Sequence, residues 1–231
     1  MLRLYFILII LIIIIYFQYN YINNNNSSYE ILQYENPNKN LFENILNNKL
    51  ISIFINIPIN NKILLDFNNL DTLSYKNLNI NEKKKLNNLL VENFSYYNIP
   101  LCISSNIKLN FELSSNNNNN NNKNKNKIIR QKHYRELIYQ YRGIKKYYIF
   151  SPDQSKYLYL NKNKTYSNID FWNQNTSKFP LINKAKYIEI IVSEGQMIYI
   201  PSNWFYTTSI DYDSISIHCI SDSIFSKFLL R

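Results

Sequence analysis

The side chains of this chain best suited to chemistry are its two histidines, His133 and His218. Imidazole is the commonest metal ligand among protein side chains and the usual acid or base near neutral pH. Glu136 follows His133 by three residues and could add a carboxylate ligand. The three residues define a possible non-standard metal site. The simpler interpretation makes His218, in an apolar strand-like segment, a hydrogen-bonded core residue.

Two cysteines, Cys102 and Cys219, are too few for a disulfide framework. Both lie in apolar, strand-like segments, so we expect buried free thiols. A single disulfide bond between them is the alternative if the domain lies in the secretory lumen or outside the cell.

The formal net charge of +10 raises the question of a nucleic-acid partner. The lysines are spread along the chain, and the two runs, Lys83–Lys85 and the alternating lysines at 123, 125 and 127, lie in or beside Asn-rich stretches. No segment predicts a one-sided basic helix, so the charge indicates a solvated surface and no specific nucleic-acid partner.

The N-terminus carries fourteen apolar residues, Leu4 to Phe17, behind the single cation Arg3. We predict an uncleaved signal-anchor over residues 1–22, which would be a single-pass membrane segment of a protein in the secretory pathway. A cleaved signal peptide and a buried core segment are the alternatives. A polar linker over 23–30 and one domain over 31–231 would follow, a length that suits a single hydrophobic core.

The elements that must position the histidines are short strands. Apolar, β-branched runs at Leu50–Ile55 and Ile63–Leu65 precede a helix predicted at Asn81–Val91, where the leucines follow helical spacing. The alternation of residues 107–113 predicts a half-buried strand, and the Asn-rich insertion at 114–127 predicts disorder. After Ile128 the sequence predicts a sandwich or barrel of strands at Ile138–Tyr141, Lys146–Phe150, Tyr157–Leu160, Tyr187–Val192, Met197–Ile200, Trp204–Thr208 and Ser214–Cys219.

Three motifs within this β-rich region narrow the choice of fold family. The first runs from Arg142 to Gln154, with a glycine turn, a lysine and a Pro-Asp turn. The second combines Ser167–Asp170 with the Phe-Pro pair at 179–180. The third is Glu194–Phe205, followed by Ser214–His218.

From about Ile128 to Asp222 the chain resembles the JmjC or cupin-like family, in its asparaginyl-hydroxylase-like branch of Fe(II)/2-oxoglutarate oxygenases. Gly195 to Trp204 is the most specific part. The resemblance implies an all-β fold with minor helices, a double-stranded β-helix behind the N-terminal hydrophobic helix.

Such oxygenases hold iron with a facial triad of two His and one carboxylate. The resemblance places the first two ligands at Arg130 and Lys132 and the third at Tyr206. An alternative register, with a three-residue deletion, aligns His133 and Arg135 with the first two. Neither register yields a triad, because two cations repel Fe²⁺ and a neutral phenol is a poor ligand.

The resemblance also implies a cosubstrate pocket. The family lysine that pairs with 2-oxoglutarate matches Lys145, whereas Glu136, His218 and Lys127 replace two Asn and a Thr that help to hold it. We therefore expect an altered pocket in which Lys145 is either a carboxylate ligand or an ordinary lysine.

These substitutions predict a catalytically inactive pseudo-oxygenase without a cofactor, acting as a monomeric binding or scaffold module for an unknown protein or a small carboxylate. One alternative is an active Fe(II)/2-oxoglutarate-dependent hydroxylase with a non-standard metal centre. The other is a membrane-tethered structural or interaction protein with a vestigial pocket. A barrel interior filled by Tyr206, Tyr139 and Tyr141 would favour the latter.

Overall fold

The computed structural model describes residues 2–23, 27–37, 39–57, 104–112, 127–172, 174–210 and 214–222. It contains two α-helices and eleven β-strands within these ranges. They are α1 (Leu2–Asn23), β1 (Ile31–Glu35), α2 (Lys39–Asn48), β2 (Ile51–Ile55), β3 (Ser104–Glu112), β4 (Lys127–Arg130), β5 (Arg135–Arg142), β6 (Lys145–Phe150), β7 (Tyr166–Asp170), β8 (Ile188–Val192), β9 (Met197–Pro201), β10 (Phe205–Ile210) and β11 (Ser214–Asp222).

The strands form two sheets, as the predicted double-stranded β-helix requires. The first sheet has six strands in the order β1-β2-β9-β5-β11-β3, and the second has five in the order β7-β4-β10-β6-β8. All described pairings are antiparallel except that of β1 with β2. The all-β fold class is therefore confirmed.

An apolar cluster, here called the inner core, joins the two sheets. It takes isoleucines from β2, β5 and β9 of the first sheet, and the side chains of Tyr147, Ile149 and Tyr206 from the second. Trp204, in the turn between β9 and β10, is fully buried within it. Alternation along each strand directs these side chains inward, because successive residues of a strand face opposite sides.

A second apolar cluster, the outer core, covers the other face of the second sheet. Phe150, Phe171 and Phe205 meet there with Ile128 and residues of the chain between β6 and β8. That chain includes two 3₁₀ helices, Pro152–Tyr157 and Pro180–Lys184. The second sheet is therefore covered on both faces along much of β6 and β10.

The strand predicted at Tyr157–Leu160 is wrong. The chain forms the 3₁₀ helix Pro152–Tyr157 and then a turn, and only an isolated bridge joins Leu160 to Ser167. Pro152 favours a helical first turn, since its fixed φ suits that position and it has no N–H to donate. Strands β1, β4 and β7 and helix α2 were not predicted. The strand predicted at 63–65, the helix predicted at 81–91 and nearly all of the Asn-rich insertion lie outside the described residues.

The prediction of a single-pass membrane anchor is also wrong. Helix α1 spans Leu2–Asn23, yet over the described residues no helix combines the length and the apolar character needed to cross a membrane. The physical reason is the length of the apolar stretch within this helix. Fourteen apolar residues in a helix cover about 21 Å, whereas a bilayer core is about 30 Å thick.

Candidate functional site

Strand β10 lies between β4 and β6 and brings the third motif into contact with the inner core. Tyr206 pairs with Ile129 on β4 and with Ile149 on β6. Directly opposed residues point to the same face, so Ile129, Ile149 and Tyr206 all face inward. The Tyr206 ring lies 6.3 Å from the ring of Tyr147, centroid to centroid.

A cavity of about 270 Å³ opens beside Tyr206, between the end of β4 and the facing strands β5 and β11. Its walls combine cationic, histidine, carboxylate and apolar side chains. The lining residues are Ile129, Arg130, Gln131, Lys132, His133, Glu136, Tyr206, His218 and Ile220.

The turn from β4 to β5 is tied to the turn from β9 to β10. The Gln131 N–H donates to the Trp204 carbonyl (2.7 Å), and the Asn203 N–H donates to the Gln131 carbonyl (2.8 Å). The Gln131 Oε1 accepts the His133 N–H at 2.8 Å. Gln131 is 1% exposed, and these bonds satisfy most of its polar groups. They hold residues 130–133 in place at the cavity.

Each histidine at the cavity is hydrogen-bonded to a carboxylate from a distant part of the chain. His218 Nδ1 lies 2.7 Å from Glu136 Oε1, and both side chains are 7% exposed. His133 Nδ1 lies 3.0 Å from Asp222 Oδ2, with 32% and 15% of the side chains exposed. An ionised carboxylate can only accept, so the imidazole nitrogen is the donor in both pairs.

The two cations of the cavity are held differently. Arg130 donates from Nη2 to the neutral Asn203 Oδ1, and burial lowers the pKa of its guanidinium from the usual value. Lys132 is half-buried. Within the ranges that the structure describes, neither Arg130 nor Lys132 forms an ion pair.

Iron does not fit this set of side chains. Arg130, Lys132 and Tyr206, which occupy the ligand positions in one register, all line the cavity and are all poor ligands for Fe²⁺. Across the described part of the chain, no three His, Cys, Asp or Glu side chains group closely enough to hold a metal ion. His133, Glu136 and His218 share the cavity wall as two separate hydrogen-bonded groups.

Arg135, the other residue of the alternative register, does not reach the cavity. It lies on the opposite face of β5 from Glu136, and its Nη2 donates to Asn47 Oδ1 of α2 at 2.8 Å. One residue of displacement along a strand moves a side chain to the other face, and this places the guanidinium outside the barrel. The alternative register therefore contributes only His133 to the cavity.

The residues assigned to the cosubstrate pocket do not all lie at the cavity. Glu136 and His218 line the cavity, whereas Lys145 and Lys127 do not. Lys145 is 2% exposed and lies four residues along β6 from Ile149, a distance of about 13 Å in a strand. The Lys127 ammonium lies over the Tyr166 ring at the start of β4, 4.5 Å from its centroid.

The barrel interior is filled, but not by the predicted trio of tyrosines. Tyr206 lies in the inner core with Tyr147, which stands between Lys145 and Ile149 on the inward face of β6. Tyr139 and Tyr141 lie on the other face of β5 from Ile138 of the inner core. Burial raises the pKa of Tyr139 to about 12. A cavity nevertheless remains beside Tyr206.

Sequence reasoning missed three residues of this site, namely Gln131, Asn203 and Asp222. Asn203 lies in the most specific motif and adopts a positive φ of 69°, which asparagine tolerates. Its position in that motif could have identified Asn203 as a residue of the site. Gln131 and Asp222 carry no local signal for this role, because Gln131 bonds to Ile200, 69 residues away, and Asp222 bonds to His133, 89 residues away.

Comparison with known proteins agrees with the fold. The family profile described as a cupin-like domain matches residues 60–219. HSPB1-associated protein 1 of Homo sapiens is 30% identical over 88 residues, covering 36% of this chain and 18% of that protein. The tRNA wybutosine-synthesizing protein 5 of Homo sapiens is 38% identical over 71 residues, covering 30% of this chain and 22% of that protein.

A third relative, JmjC domain-containing protein D of Dictyostelium discoideum, is 37% identical over 73 residues, covering 30% of this chain and 16% of that protein. The matched region spans only about a fifth of the length of these relatives. The family profile covers more than two thirds of the chain. The two sheets and the profile match together show that the chain belongs to the cupin-like domain family, which includes JmjC proteins.

Proposed function

We propose that this chain is a non-catalytic member of the family, a pseudo-oxygenase whose cavity serves as a binding module. One observation carries the proposal: Arg130, Lys132 and Tyr206 line the cavity in which the family would hold its metal. Two like unit charges about 4 Å apart repel by roughly 4 kcal/mol near a protein surface, and Fe²⁺ carries two charges. Such a site disfavours iron strongly.

The filled interior supports the same proposal. Oxygenases of this type need space for a cosubstrate that reaches from the metal to the family lysine. Here the ring of Tyr147, fully buried, occupies the inward face of β6 between Lys145 and the cavity. A cosubstrate in its usual place would have to displace this ring from a packed core, at a cost of several kcal/mol.

A protein partner is an alternative use of the same domain. The name of HSPB1-associated protein 1 describes that relative as associating with another protein. A scaffold role would need only the outer surface, with the cavity as a remnant. The cavity of about 270 Å³ beside Tyr206 favours ligand binding over a vestigial pocket.

One observation favours a different candidate, an oxygenase with a non-standard metal centre. Histidines that bind metals commonly donate their other ring nitrogen to a carboxylate, and both His133 and His218 do so here. The cavity cations weigh against it, and so does the finding that no three such donors among the described residues group closely enough to hold a metal ion. Metal analysis separates the two candidates.

The test is anaerobic loading of the purified chain with Fe(II), followed by measurement of bound iron and of succinate formed from 2-oxoglutarate. We expect no stoichiometric iron and no turnover. A matched variant carrying Arg130→His, Lys132→Asp and Tyr206→His supplies the family ligands on the same frame, and we expect it to bind iron. Stoichiometric iron with succinate formation in the unmodified chain, lost in His133→Gln and His218→Gln, would contradict the proposal.

A further inference from the structure

Three aromatic rings, here called the aromatic face, lie together on the side of the second sheet that faces away from the inner core. Tyr148 of β6 is at the centre. The centroid of its ring lies 4.9 Å from that of Trp172 and 5.8 Å from that of Tyr187. Phe171, which is buried, packs against all three rings. Trp172 is 43% exposed and Tyr187 is 48% exposed, so the aromatic face offers two large rings to solvent.

The register of β8 places a carboxylate beside these rings. Glu189 pairs directly with Tyr148, so both side chains leave the same face of the sheet, with Cβ atoms about 5 Å apart. Tyr187, two residues before Glu189, packs on that face as well. The Glu189 side chain is exposed, and among the described residues it forms neither an ion pair nor a hydrogen bond. Its oxygens are therefore available to a donor from outside the chain.

The rings of the aromatic face are also without a cation of this chain. Elsewhere the Lys127 ammonium lies 4.5 Å from the centroid of the Tyr166 ring. No lysine or arginine of the described ranges lies over a ring of the aromatic face in this way. The face of an aromatic ring carries partial negative charge and attracts a cation within about 6 Å of its centroid. The exposed rings and Glu189 therefore favour the same kind of ligand, a cation.

Arginine is the cation that can use both groups at once. Its guanidinium is planar, so it stacks on an aromatic ring while its N–H donors pair with a carboxylate. The ammonium of lysine is a compact and strongly hydrated charge that cannot stack. The net charge of +10 on this chain repels a broadly cationic partner, which favours a short contact around one arginine.

We propose that the aromatic face is a docking surface for a partner protein and receives an arginine side chain, stacked on the exposed rings and paired with Glu189. Tryptophan, tyrosine and arginine are the residues that dominate the binding energy of protein interfaces. The inference goes beyond the proposed function and is independent of it, because none of these residues lines the cavity.

The test is an NMR titration of the full chain with three peptides, acetyl-Gly-Gly-X-Gly-Gly-amide, in which X is arginine, lysine or citrulline, the neutral counterpart of arginine. We expect saturable binding of the arginine peptide, with its side-chain protons shifted upfield by the ring currents. The lysine peptide should bind at least about threefold more weakly, and the citrulline peptide should show no saturation.

Substitutions assign the binding to the aromatic face. Trp172→Ala should weaken binding of the arginine peptide about fivefold or more, and Glu189→Gln about three- to fivefold, as an exposed ion pair does. Two matched controls should leave binding unchanged. Tyr166→Ala removes an exposed ring that already carries a lysine of the chain, and Glu35→Gln removes an exposed carboxylate on β1.

Three results of the titrations would overturn the inference. They are no saturation with the arginine peptide, equal or tighter binding of the lysine or citrulline peptide, and unchanged binding by Trp172→Ala and Glu189→Gln with unfolding midpoints equal to that of the unmodified chain. Sedimentation equilibrium tests the other possible occupant, a second copy of this chain. A dimer that Trp172→Ala dissociates would show that the chain covers its own aromatic face, and would also overturn the inference.

Discussion

Lys49 shows how a single residue on the outer side of the first sheet links stability to pH. It follows helix α2 with a φ of 53° and is 8% exposed. Burial, and then the nearby Arg135, lower the pKa of its ammonium from 10.5 to about 8. Arg135 is held beside α2 by Asn47, so both cations lie at the C-terminal end of that helix, where positive charge is favoured.

The lowered pKa of Lys49 predicts that its cost to stability disappears at alkaline pH. Between about pH 8 and 10.5 the unfolded chain keeps this proton while the folded chain releases it, so folding is favoured as pH rises. We expect the free energy of unfolding of the unmodified chain, minus that of Lys49→Met, to increase by on the order of 1–2 kcal/mol from pH 7.5 to 10. Urea denaturation at several pH values measures it.

Lys164→Met is the matched control for this prediction. Lys164 also has a positive φ, 51°, but its side chain is exposed, so its removal should give a difference independent of pH. Other groups with alkaline titrations, such as Tyr139, are common to both chains and cancel in the subtraction. A gap between the unmodified chain and Lys49→Met that stays constant from pH 7.5 to 10 would refute the assignment.

At the scale of elements, the turn between β8 and β9 sets the register of the first sheet. Gly195 has a φ of 84°, and its N–H donates to the Gln140 carbonyl of β5 at 2.9 Å. The Gln140 N–H in turn donates to the Gln196 carbonyl at 2.8 Å. The turn therefore fixes β9 against β5, which carries Glu136 to the cavity wall.

The positive φ of Gly195 predicts that replacing this residue lowers the free energy of unfolding through the backbone alone. No atom lies within 4 Å of a Cβ placed on it, so Gly195→Ala meets no steric clash. We expect a loss of about 1–2 kcal/mol in the free energy of unfolding, from the left-handed φ. Gly195→Asn should lose less, since asparagine tolerates that region. Chemical denaturation measures both, and equal losses for Ala and Asn would show that another cause acts.

At the scale of the whole molecule, the folded unit is larger than the family match. The match begins at residue 60, but β2 pairs with β9 and β1 pairs with β2, which extends the first sheet before that point. Ile51 and Phe54 of β2 are fully buried. Tyr29 packs edge-to-face on Trp204 and exchanges hydrogen bonds with Ser151 and Lys186.

This architecture predicts that a fragment starting at residue 60 loses cooperative folding. Deleting β1 and β2 exposes the edge of β9 and removes buried side chains worth about 2–5 kcal/mol each, against a typical total stability of 5–15 kcal/mol. A fragment starting at residue 27 keeps these contacts and should unfold in one transition. Near-ultraviolet circular dichroism during heating compares the two, and equal midpoints would contradict the prediction.

The sequence by itself determined the family, the β-rich fold and most strands after residue 128. Strand alternation and the motif from Gly195 to Trp204 depend on neighbours in the chain, so they are readable without a structure. The same local reasoning failed at Tyr157–Leu160, where Pro152 outweighed the β propensity of the aromatic residues. It also predicted a membrane anchor from the apolar run at the N-terminus, although that run is too short to cross a bilayer.

Only the tertiary structure decided which predicted site residues meet. The register of β4 against β10 placed Arg130, Lys132 and His133 at one cavity, while the side of β5 on which each residue falls separated Arg135 from Glu136. These outcomes depend on pairings between residues more than 70 positions apart. Local preference cannot specify such pairings, because a shift of one residue reverses every side chain at little cost to the strand itself.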